Sequence, residues 1–272
     1  MVGHVCLDAA AEGARLGGTV AYAGLAARRQ GWRMGIVTSA APDLDLAASL
    51  SGIAVHRVPA DATTSFRNTY VGGVRQQRLL GRAAQLRLAD VPAAWRGARV
   101  VHLAPVAGEV DPGLAAVLAA PGRLVGATPQ GWLRAWDAAG QVAAVPCGAL
   151  PRRLAGARAV ALSEEDLPAE PDGARPWAVT GLLVALTRGA RGVTVLCGAE
   201  AWDVPACPAR ACDPTGAGDV FAASWFGRLA MGDNHAAARY AACAAACAVE
   251  RPGLAGVPTS GEIEERLARW AA

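Results

Sequence analysis

The stretch D-P-T-G-A-G-D-V-F at 213–221 places two aspartates around a glycine-rich turn and then becomes apolar. The apolar residues that follow recur at helical spacing, so a helix is predicted to begin at the glycines, with Asp219 in its first turn. The first N–H groups of a helix are unpaired and carry partial positive charge, and glycines let an anion approach them closely. Gly216, Ala217 and Gly218 are therefore predicted to form an anion hole for a phosphate.

An aspartate next to such an anion hole is unfavourable for binding alone, because its carboxylate repels the negatively charged phosphate. Asp219 suits a general base that takes a proton from an attacking hydroxyl. The structural alternative is a capped helix with a tight turn, since an aspartate in a first turn is favourable in any case.

The composition excludes several kinds of phosphate and amine chemistry. The chain has 272 residues, with 26 arginines and no lysine. A Walker-type P-loop, a protein-kinase site and Schiff-base catalysis all need a lysine and are excluded. A Rossmann dehydrogenase is disfavoured because the motif G-x-G-x-x-G is absent.

The charge and hydropathy patterns argue against two classes of partner. The net charge is +3 and the arginines are evenly spread, so there is no basic stripe of the kind that binds nucleic acid. The longest apolar run, 241–249, is far shorter than the roughly 20 residues that span a bilayer. The N-terminus lacks the pattern of a secretion signal, and the seven cysteines form no C-x-x-C pair. We expect a cytoplasmic protein with no nucleic-acid or membrane partner.

Short apolar runs alternate with helical segments through most of the chain, which predicts a single α/β domain over 1–272 with a mostly parallel sheet covered on both faces. One segment departs from this pattern. Residues 62–88 alternate around Gly72 and Gly73 and are too polar for a core, so they are predicted to form a hairpin that stands off the sheet as a lid. From 216 to 272 the pattern is almost entirely helical.

The 213–221 stretch resembles the D-T-x-G-A-G-D-x-F signature of the ribokinase (PfkB) family of sugar and nucleoside kinases. Three other segments are similar to family segments in the same order: L-G-G-T-V at 16–20, L-T-R-G-A-R-G at 186–192 and V-E-R-P-G-L-A-G-V-P-T at 249–259. The resemblance implies a ribokinase-like three-layer sandwich with a small β lid. It also implies ATP and Mg²⁺ as cofactors, a small polyhydroxylated substrate and a homodimer formed through the lid.

The resemblance carries roles to individual residues on the phosphate side. It makes Asp219 the catalytic base and assigns the anion hole to Gly216, Ala217 and Gly218. The nucleotide-binding residues that it implies are Thr187, Arg188, Gly189, Gly192 and, in the C-terminal segment, Gly253. The family's metal-organising N-x-x-E motif corresponds to S-E-E-D here, which implies Asp166 and Glu164 as metal ligands through water. Capping of a short helix by Ser163 is the alternative for that segment.

The substrate side departs more from the family. The implied substrate-binding residues are Asp8, at the end of the first strand, and the glycine pair Gly17 and Gly18. Where the family has asparagine this chain has Tyr22, which either faces a different polyol or belongs to the core. The remaining candidates are Phe66, Arg67, Asn68, Tyr70 and Gln76 on the lid and, after a strand end, Gln130 and Arg134.

Together these features predict an ATP-dependent kinase that phosphorylates a hydroxyl of a small sugar or cyclitol such as myo-inositol. A nucleoside kinase is the alternative substrate class. A catalytically silent sugar or nucleotide sensor on the same fold is the alternative outside enzymes, although a pure binder has no need of a base at Asp219.

Overall fold

The structure is a computed structural model that describes residues 1–10, 13–71, 74–167, 173–232 and 234–271. The strands, numbered along the chain, are β1 (Cys6–Ala10), β2 (Gly13–Gly17), β3 (Gly35–Ala40), β4 (Ala54–Pro59), β5 (Ser65–Val71), β6 (Val74–Gly81), β7 (Val100–Leu103), β8 (Leu124–Ala127), β9 (Arg134–Trp136), β10 (Val142–Ala144), β11 (Ala159–Ser163), β12 (Leu183–Thr187), β13 (Val193–Cys197) and β14 (Glu200–Val204).

The helices are α1 (Thr19–Arg29), α2 (Leu46–Ser49), α3 (Leu114–Leu118), α4 (Leu150–Arg153), α5 (Arg175–Ala178), α6 (Ala217–Ala230), α7 (Asn234–Ala248) and α8 (Ser260–Ala271). Short 3-10 helices lie at Leu88–Asp90, Ala93–Trp95, Pro129–Trp132, Glu164–Asp166, Gly189–Arg191 and Gly253–Gly256. The helical C-terminal region predicted from the sequence is thus confirmed as α6, α7 and α8.

The central sheet has the order β14-β13-β12-β11-β8-β7, and Val2 bridges β7 to the parallel pair β3-β4. The pairs from β7 to β12 are parallel, whereas β13 and β14 are antiparallel additions at one edge. The prediction of a mostly parallel sheet is confirmed, and the antiparallel edge is explained by the tight connections from β12 to β14, which are too short for a crossover helix.

Helices cover both faces of this sheet because successive side chains of each strand point in opposite directions. On β11, Val160 belongs to the core beneath α3, α4 and α5, whereas Ala161 belongs to the core beneath α6 and α7. The small strand residues on the second face make room for aromatic residues of α6. A β-carbon on Gly126 would lie 2.8 Å from the ring of Phe226, so that strand position accepts no larger residue. The result is the three-layer α/β sandwich that the sequence predicts.

The lid is larger than predicted, because four strands form it in the order β2-β1-β5-β6. The predicted hairpin is β5 paired antiparallel with β6, and its Gly72–Gly73 turn lies outside the described residues. β1 pairs parallel with β5 and antiparallel with β2. The sequence reading missed β2, since 13–17 is short and leads directly into the glycine pair before α1.

The first predicted strand, 2–8, serves two sheets instead of one. Val2 lies in the central sheet, and β1 begins only at Cys6 and belongs to the lid. Between them, side chains replace ladder partners: the backbone N–H of His4 donates to Glu109 at 2.8 Å, and that of Val5 donates to Thr38 at 2.8 Å. The chain therefore leaves the sheet at its centre and places Asp8 over the edge where the parallel strands end.

A second hairpin, β9 and β10, was also missed by the sequence reading. It packs against the outer strand of the lid, where the N–H of Leu79 donates to the carbonyl of Gly140 at 2.8 Å. Arg78 forms a bridge with Gln141 at the same place. The lid edge β6 is thus held by a hairpin that itself starts beside the central sheet.

Candidate active site

The N-terminus of α6 forms the floor of the site. Gly216 precedes the helix with φ 78°, a left-handed backbone that glycine adopts without strain, and Asp219 lies in the first turn. Asp213 holds the preceding loop, since its carboxylate accepts hydrogen bonds from the N–H groups of Thr215 and Gly253, both at 2.9 Å. Around Gly218 there is open space at the position of an added β-carbon. Gly218 itself is exposed, so an anion can reach the backbone of the first turn of α6 there.

Asp219 has an unusual electrostatic environment. Burial raises the pKa of its carboxyl group from the ordinary 3.8 to about 6. A hydrogen bond from the Thr19 hydroxyl lowers the pKa, and the nearby carboxylate of Asp166 raises it. Weaker contributions to the pKa come from Arg134, which lowers it, and Asp8, which raises it. A carboxylate with a pKa near 6 is ionised at neutral pH and still basic enough to accept a proton.

Thr19 is a site residue that the sequence reading missed. It is the first residue of α1 and is buried, and its hydroxyl joins α1 to Asp219 on α6. The signal was present in the sequence, because a threonine directly follows the glycine pair. Its role depends on α1 and α6 packing together, which the local sequence does not reveal.

Asp8, the predicted substrate-binding carboxylate, makes two close contacts. Its Oδ1 accepts a hydrogen bond from Nδ2 of Asn68 at 3.2 Å. Its Oδ2 lies 2.6 Å from the place where Gly17 would carry a β-carbon, so Gly17 makes room for this carboxylate. Gly18 precedes α1 with φ 87°, a backbone that favours glycine. The structure thus brings Gly17 against Asp8, whereas Gly18 lies against His4 and Cys6, and a role of these residues in substrate binding stays a prediction.

The lid candidates fall on two faces. Asn68 pairs with Gln77 across β5 and β6, and Nε2 of Gln77 donates to Oδ1 of Asn68 at 3.0 Å. Arg67 and Gln76 alternate with these residues and are exposed on the opposite face, so the structure does not bring them to Asp8. Gln77 takes the place that was expected for Gln76.

The two remaining lid candidates are Phe66 and Tyr70. Phe66 is buried in a small cluster with Cys6, Val106 and Ala107, so it packs the base of the lid. The side chain of Tyr70 lies outside the described part of the structure.

The ring of Tyr22, on α1, lies against both Gly17 and Gly216. It is 4% exposed, and its ring lies against Gly216 so closely that a β-carbon there would overlap the ring. Burial raises the pKa of the Tyr22 hydroxyl above its ordinary 10.0, and the carboxylates of Asp213 and Asp219 raise it further. Tyr22 is therefore a buried residue, as the core alternative predicts, and its ring packs on the loop before α6. A contact between Tyr22 and a polyol stays a prediction.

Gln130 and Arg134 reach the site from the other side of the sheet edge. Nε2 of Gln130 approaches Oδ1 of Asp166 at 3.4 Å, and the positive charge of Arg134, on β9, lowers the pKa of Asp219. The indole of Trp132 donates to the carbonyl of Val110 at 2.6 Å. Trp132 therefore packs the loop, while Gln130 and Arg134 face the carboxylates.

The predicted nucleotide loop follows β12. Thr187 ends that strand and its hydroxyl donates to the carbonyl of Leu162 at 3.3 Å. Gly189 has φ 54° and open space at its β-carbon position, so an anion can approach the loop there. Gly192 has φ 88°, and a β-carbon would overlap the backbone after β14, so this glycine is required for packing.

Arg188, in the same loop, is paired rather than extended into the cleft. Its guanidinium lies 2.7 Å from Oδ1 of Asp203, which also accepts a hydrogen bond from Thr194 at 2.6 Å. The Thr194 hydroxyl is the largest cause of the lowered pKa of Asp203, and Arg188 lowers it further. Gly253 is not part of this loop, because its N–H donates to Oδ2 of Asp213 at 2.9 Å, in the segment before α6.

The S-E-E-D segment forms a capped 3-10 helix. Oγ of Ser163 accepts from the N–H of Glu165 at 3.2 Å, and Asp166 accepts from the N–H of Ser163 at 3.0 Å. The capping alternative is thus confirmed. Glu164 forms an ion pair with Arg191, whereas Asp166 also contributes to the field at Asp219.

These positions fit a magnesium ion that is held mainly by phosphate oxygens. Among the described residues, no three His, Cys, Asp or Glu side chains are arranged to hold a metal ion by themselves. Mg²⁺ commonly uses one or two carboxylates together with water and substrate phosphates, so Asp166 alone can meet its need for a protein ligand.

In a comparison with known proteins, the C-terminal part of the chain matches one family model. Residues 161–260 match the family model described as pfkB family carbohydrate kinase. A ribokinase of Bacillus subtilis (strain 168) is 40% identical over 84 residues, which is 30% of this chain and 29% of that protein. The chain thus matches less than a third of the length of this curated relative.

Solved structures are similar over nearly the whole chain. A pyrophosphate-dependent kinase in the ribokinase family, complexed with a pyrophosphate analog and myo-inositol, has a TM-score of 0.80 at 19% identity and covers 97% of this chain and 98% of its own. The ribokinase of Arabidopsis thaliana, complexed with ribose and ATP, has a TM-score of 0.75 at 17% identity and covers 98% and 97%. At these identities the likeness establishes the fold. No helix among the described residues is long and apolar enough to cross a membrane.

Proposed function

We propose that this chain is a member of the PfkB (ribokinase) family and an ATP-dependent kinase that phosphorylates a hydroxyl of a small sugar or cyclitol. The match of residues 161–260 to the pfkB carbohydrate kinase model supports this proposal. One observation carries the proposal. Asp219, with a pKa of about 6, lies in the first turn of α6 beside the accessible backbone of Gly218. A proton acceptor and an anion-binding helix end are then adjacent, as transfer of a phosphoryl group to a hydroxyl requires.

In the proposed reaction the acceptor hydroxyl lies next to Asp219. The carboxylate accepts the hydroxyl proton as the oxygen attacks the terminal phosphorus of ATP, and the bond to the leaving phosphate breaks. The Thr19 hydroxyl keeps the carboxylate aligned by its hydrogen bond. Because Asp219 is ionised at pH 7, it is ready to act without a prior proton transfer.

Backbone and arginine groups stabilise the transferred charge in this chain. The N–H of Gly218, in the first turn of α6, is the proposed donor to the phosphoryl oxygens and adds the positive end of the helix dipole, whereas the N–H of Ala217 donates to the carbonyl of Pro214 at 3.2 Å. Bound Mg²⁺, held at Asp166 with a contribution from Glu164 through water, would neutralise part of the phosphate charge. With no lysine in the chain, Arg188 is the candidate cation in the nucleotide loop.

Acceptor selection is proposed to lie with Asp8 and the face of the lid beside it. A carboxylate that accepts hydrogen bonds from two neighbouring hydroxyls favours a polyol, which supports a sugar or cyclitol over a purely apolar acceptor. The lid would also exclude water, which otherwise competes as phosphoryl acceptor. Cytoplasmic location and a homodimer through the lid stay predictions.

Pyrophosphate is a second candidate for the phosphoryl donor. The observation that favours it is the likeness to a pyrophosphate-dependent kinase in the ribokinase family, solved as a sulfate complex, with a TM-score of 0.81 against 0.75 for the plant ribokinase. The pairing of Arg188 with Asp203 is compatible with either donor, since both present a phosphate to the same loop. A nucleoside acceptor, or a sensor that binds its ligand without turnover, is also compatible with this fold.

One assay tests the proposal and separates these four cases. ADP release from Mg-ATP and phosphate release from Mg-pyrophosphate would be measured with myo-inositol, ribose, fructose, 2-keto-3-deoxygluconate, adenosine and cytidine. Turnover of one sugar or cyclitol that falls by about 10²–10⁴ in Asp219→Asn supports the kinase and the base. Turnover confined to a nucleoside replaces the acceptor class. Absence of turnover with both donors, together with ligand-induced stabilisation, replaces the kinase with a sensor.

A further inference from the structure

A continuous chain of side-chain hydrogen bonds runs along the lid to Asp8. Nε2 of Gln77 donates to Oδ1 of Asn68 at 3.0 Å, and Nδ2 of Asn68 donates to Oδ1 of Asp8 at 3.2 Å. Asn68 and Gln77 are direct partners across β5 and β6, so the sheet register places them side by side. The chain ends on the carboxylate to which the proposed function assigns acceptor binding.

The direction of these bonds is fixed by the chemistry of the groups. An ionised carboxylate only accepts hydrogen bonds, so Asn68 must turn its NH₂ group toward Asp8. The carbonyl of the same amide then faces Gln77, which must answer with its own NH₂ group. A donor at Gln77 therefore selects the amide orientation of Asn68 that serves Asp8.

Gln77 is itself held firmly. Its side chain is 9% exposed, and its backbone carbonyl accepts a hydrogen bond from Nε2 of Gln141 at 3.3 Å. Two residues further along β6, the N–H of Leu79 donates to the carbonyl of Gly140. The β9–β10 hairpin thus fixes the strand that carries Gln77, and this is the same hairpin that carries Arg134 toward Asp219.

We propose that Gln77 is a positioning residue that acts through Asn68 to set the orientation of Asp8 for the acceptor. This proposal rests on the proposed function. Gln77 does not touch the acceptor. Its donor group keeps the Asn68 amide in one orientation, and that orientation keeps the Asp8 carboxylate in one place. A polyol acceptor needs such a fixed pair of oxygens, because misplacement of a binding group by about 1 Å can cost roughly 100-fold in rate.

Two variants at this position separate positioning from packing. Gln77→Leu removes the donor but keeps a side chain of similar length, and we expect the KM for the acceptor to rise about tenfold or more with the KM for the donor unchanged. Gln77→Glu keeps the shape but presents an acceptor to Asn68, which favours the wrong orientation of that amide. We therefore expect Gln77→Glu to raise the acceptor KM at least as much as Gln77→Leu, whereas a packing role predicts that it is the milder change.

Gln85→Leu is the matched control. Gln85 is an exposed glutamine just beyond β6 whose Nε2 also donates one hydrogen bond, at 3.3 Å to the carbonyl of Gly108, but it has no connection to Asp8. Its acceptor KM should equal that of the wild type. In an Asp8→Asn background, Gln77→Leu should raise the acceptor KM no further, because the two positions act through one path.

The outcomes also separate this inference from the proposed function. An active wild type in which Gln77→Leu, Gln77→Glu and Gln85→Leu share one acceptor KM overturns the positioning role alone. The positioning role is also overturned if Gln77→Leu raises the acceptor KM by the same factor in the wild type and in the Asp8→Asn background. For a wild type without turnover, the acceptor affinity is measured by calorimetric titration of the same compounds and variants. Absence of binding by every compound in the wild type overturns both proposals.

Discussion

The ring of Tyr22 lies directly on Gly216, the residue before the first turn of α6. This contact joins α1, which starts directly after Gly17 and Gly18, to the helix that carries Asp219. Two features require glycine at position 216. Its φ is 78°, and a β-carbon would have no space beneath the Tyr22 ring.

The first prediction concerns the two glycines at the start of α6. Gly216→Ala should lower the free energy of unfolding by about 1–3 kcal/mol through its left-handed backbone, and overpacking against Tyr22 should add about 1–3 kcal/mol. Gly218→Ala should leave the free energy of unfolding near that of the wild type, because an added β-carbon there meets open space. Urea denaturation of both variants measures the difference. Equal stability of the two variants would show that neither the left-handed backbone at Gly216 nor the Tyr22 contact has an energetic consequence.

A second prediction is the dependence of the rate on pH. The pKa of Asp219 is raised to about 6 by burial, so its protonated, inactive form accumulates below that pH. We expect kcat/KM to fall tenfold per unit of pH on the acid side of about 6. A profile that stays flat down to pH 4.5 would contradict a base with this pKa.

The same pKa shift also affects stability. Activity rises with pH through this range, whereas the free energy of unfolding falls. Because the folded pKa lies above the ordinary 3.8, the folded state binds more protons between about pH 4 and 6, so the ionised Asp219 costs stability as pH rises through this window. Asp219→Asn removes the buried charge. Its melting temperature should exceed that of the wild type at pH 7, and the gap should shrink toward pH 4. A constant gap across this range would argue against the buried charge as its cause.

The third position to test is Gly17. Oδ2 of Asp8 lies 2.6 Å from the place of a β-carbon on Gly17, so Gly17→Ala must displace that carboxylate. We expect a higher KM for the acceptor, by about tenfold or more, with the KM for the donor unchanged. Steady-state kinetics with each substrate varied in turn measures both constants. A rise in the donor KM alone would contradict the role of Asp8 in binding the acceptor.

The final prediction concerns the ion pair in the nucleotide loop. Arg188→Ala removes the cation proposed to face the donor phosphates, and we expect the donor KM to rise about tenfold while the acceptor KM stays constant. Asp203→Ala keeps the cation but removes the partner at 2.7 Å, so a smaller rise is expected. Unchanged donor kinetics in Arg188→Ala would exclude the residue from donor binding.

The sequence by itself determined the parts of this protein that depend on short stretches of chain. The start of α6 at the glycines and the position of Asp219 in its first turn were both predicted, because a glycine-rich turn before an apolar helical repeat is a local signal. The alternation of strands and helices likewise predicted the layered sheet. Each of these features follows from backbone preferences and from periodicity within about 20 residues.

Only the tertiary structure decided which side chains meet. Gln77 rather than Gln76 faces Asn68, since side chains alternate along a strand and a shift of one residue turns every side chain to the other face. Thr19 meets Asp219 and Tyr22 meets Gly216 only because α1 packs beside α6, about 200 residues away along the chain. The register of β5 with β6 and the packing of α1 on α6 are long-range pairings, whose free energy comes from surfaces buried between distant segments and not from the residues of either segment alone.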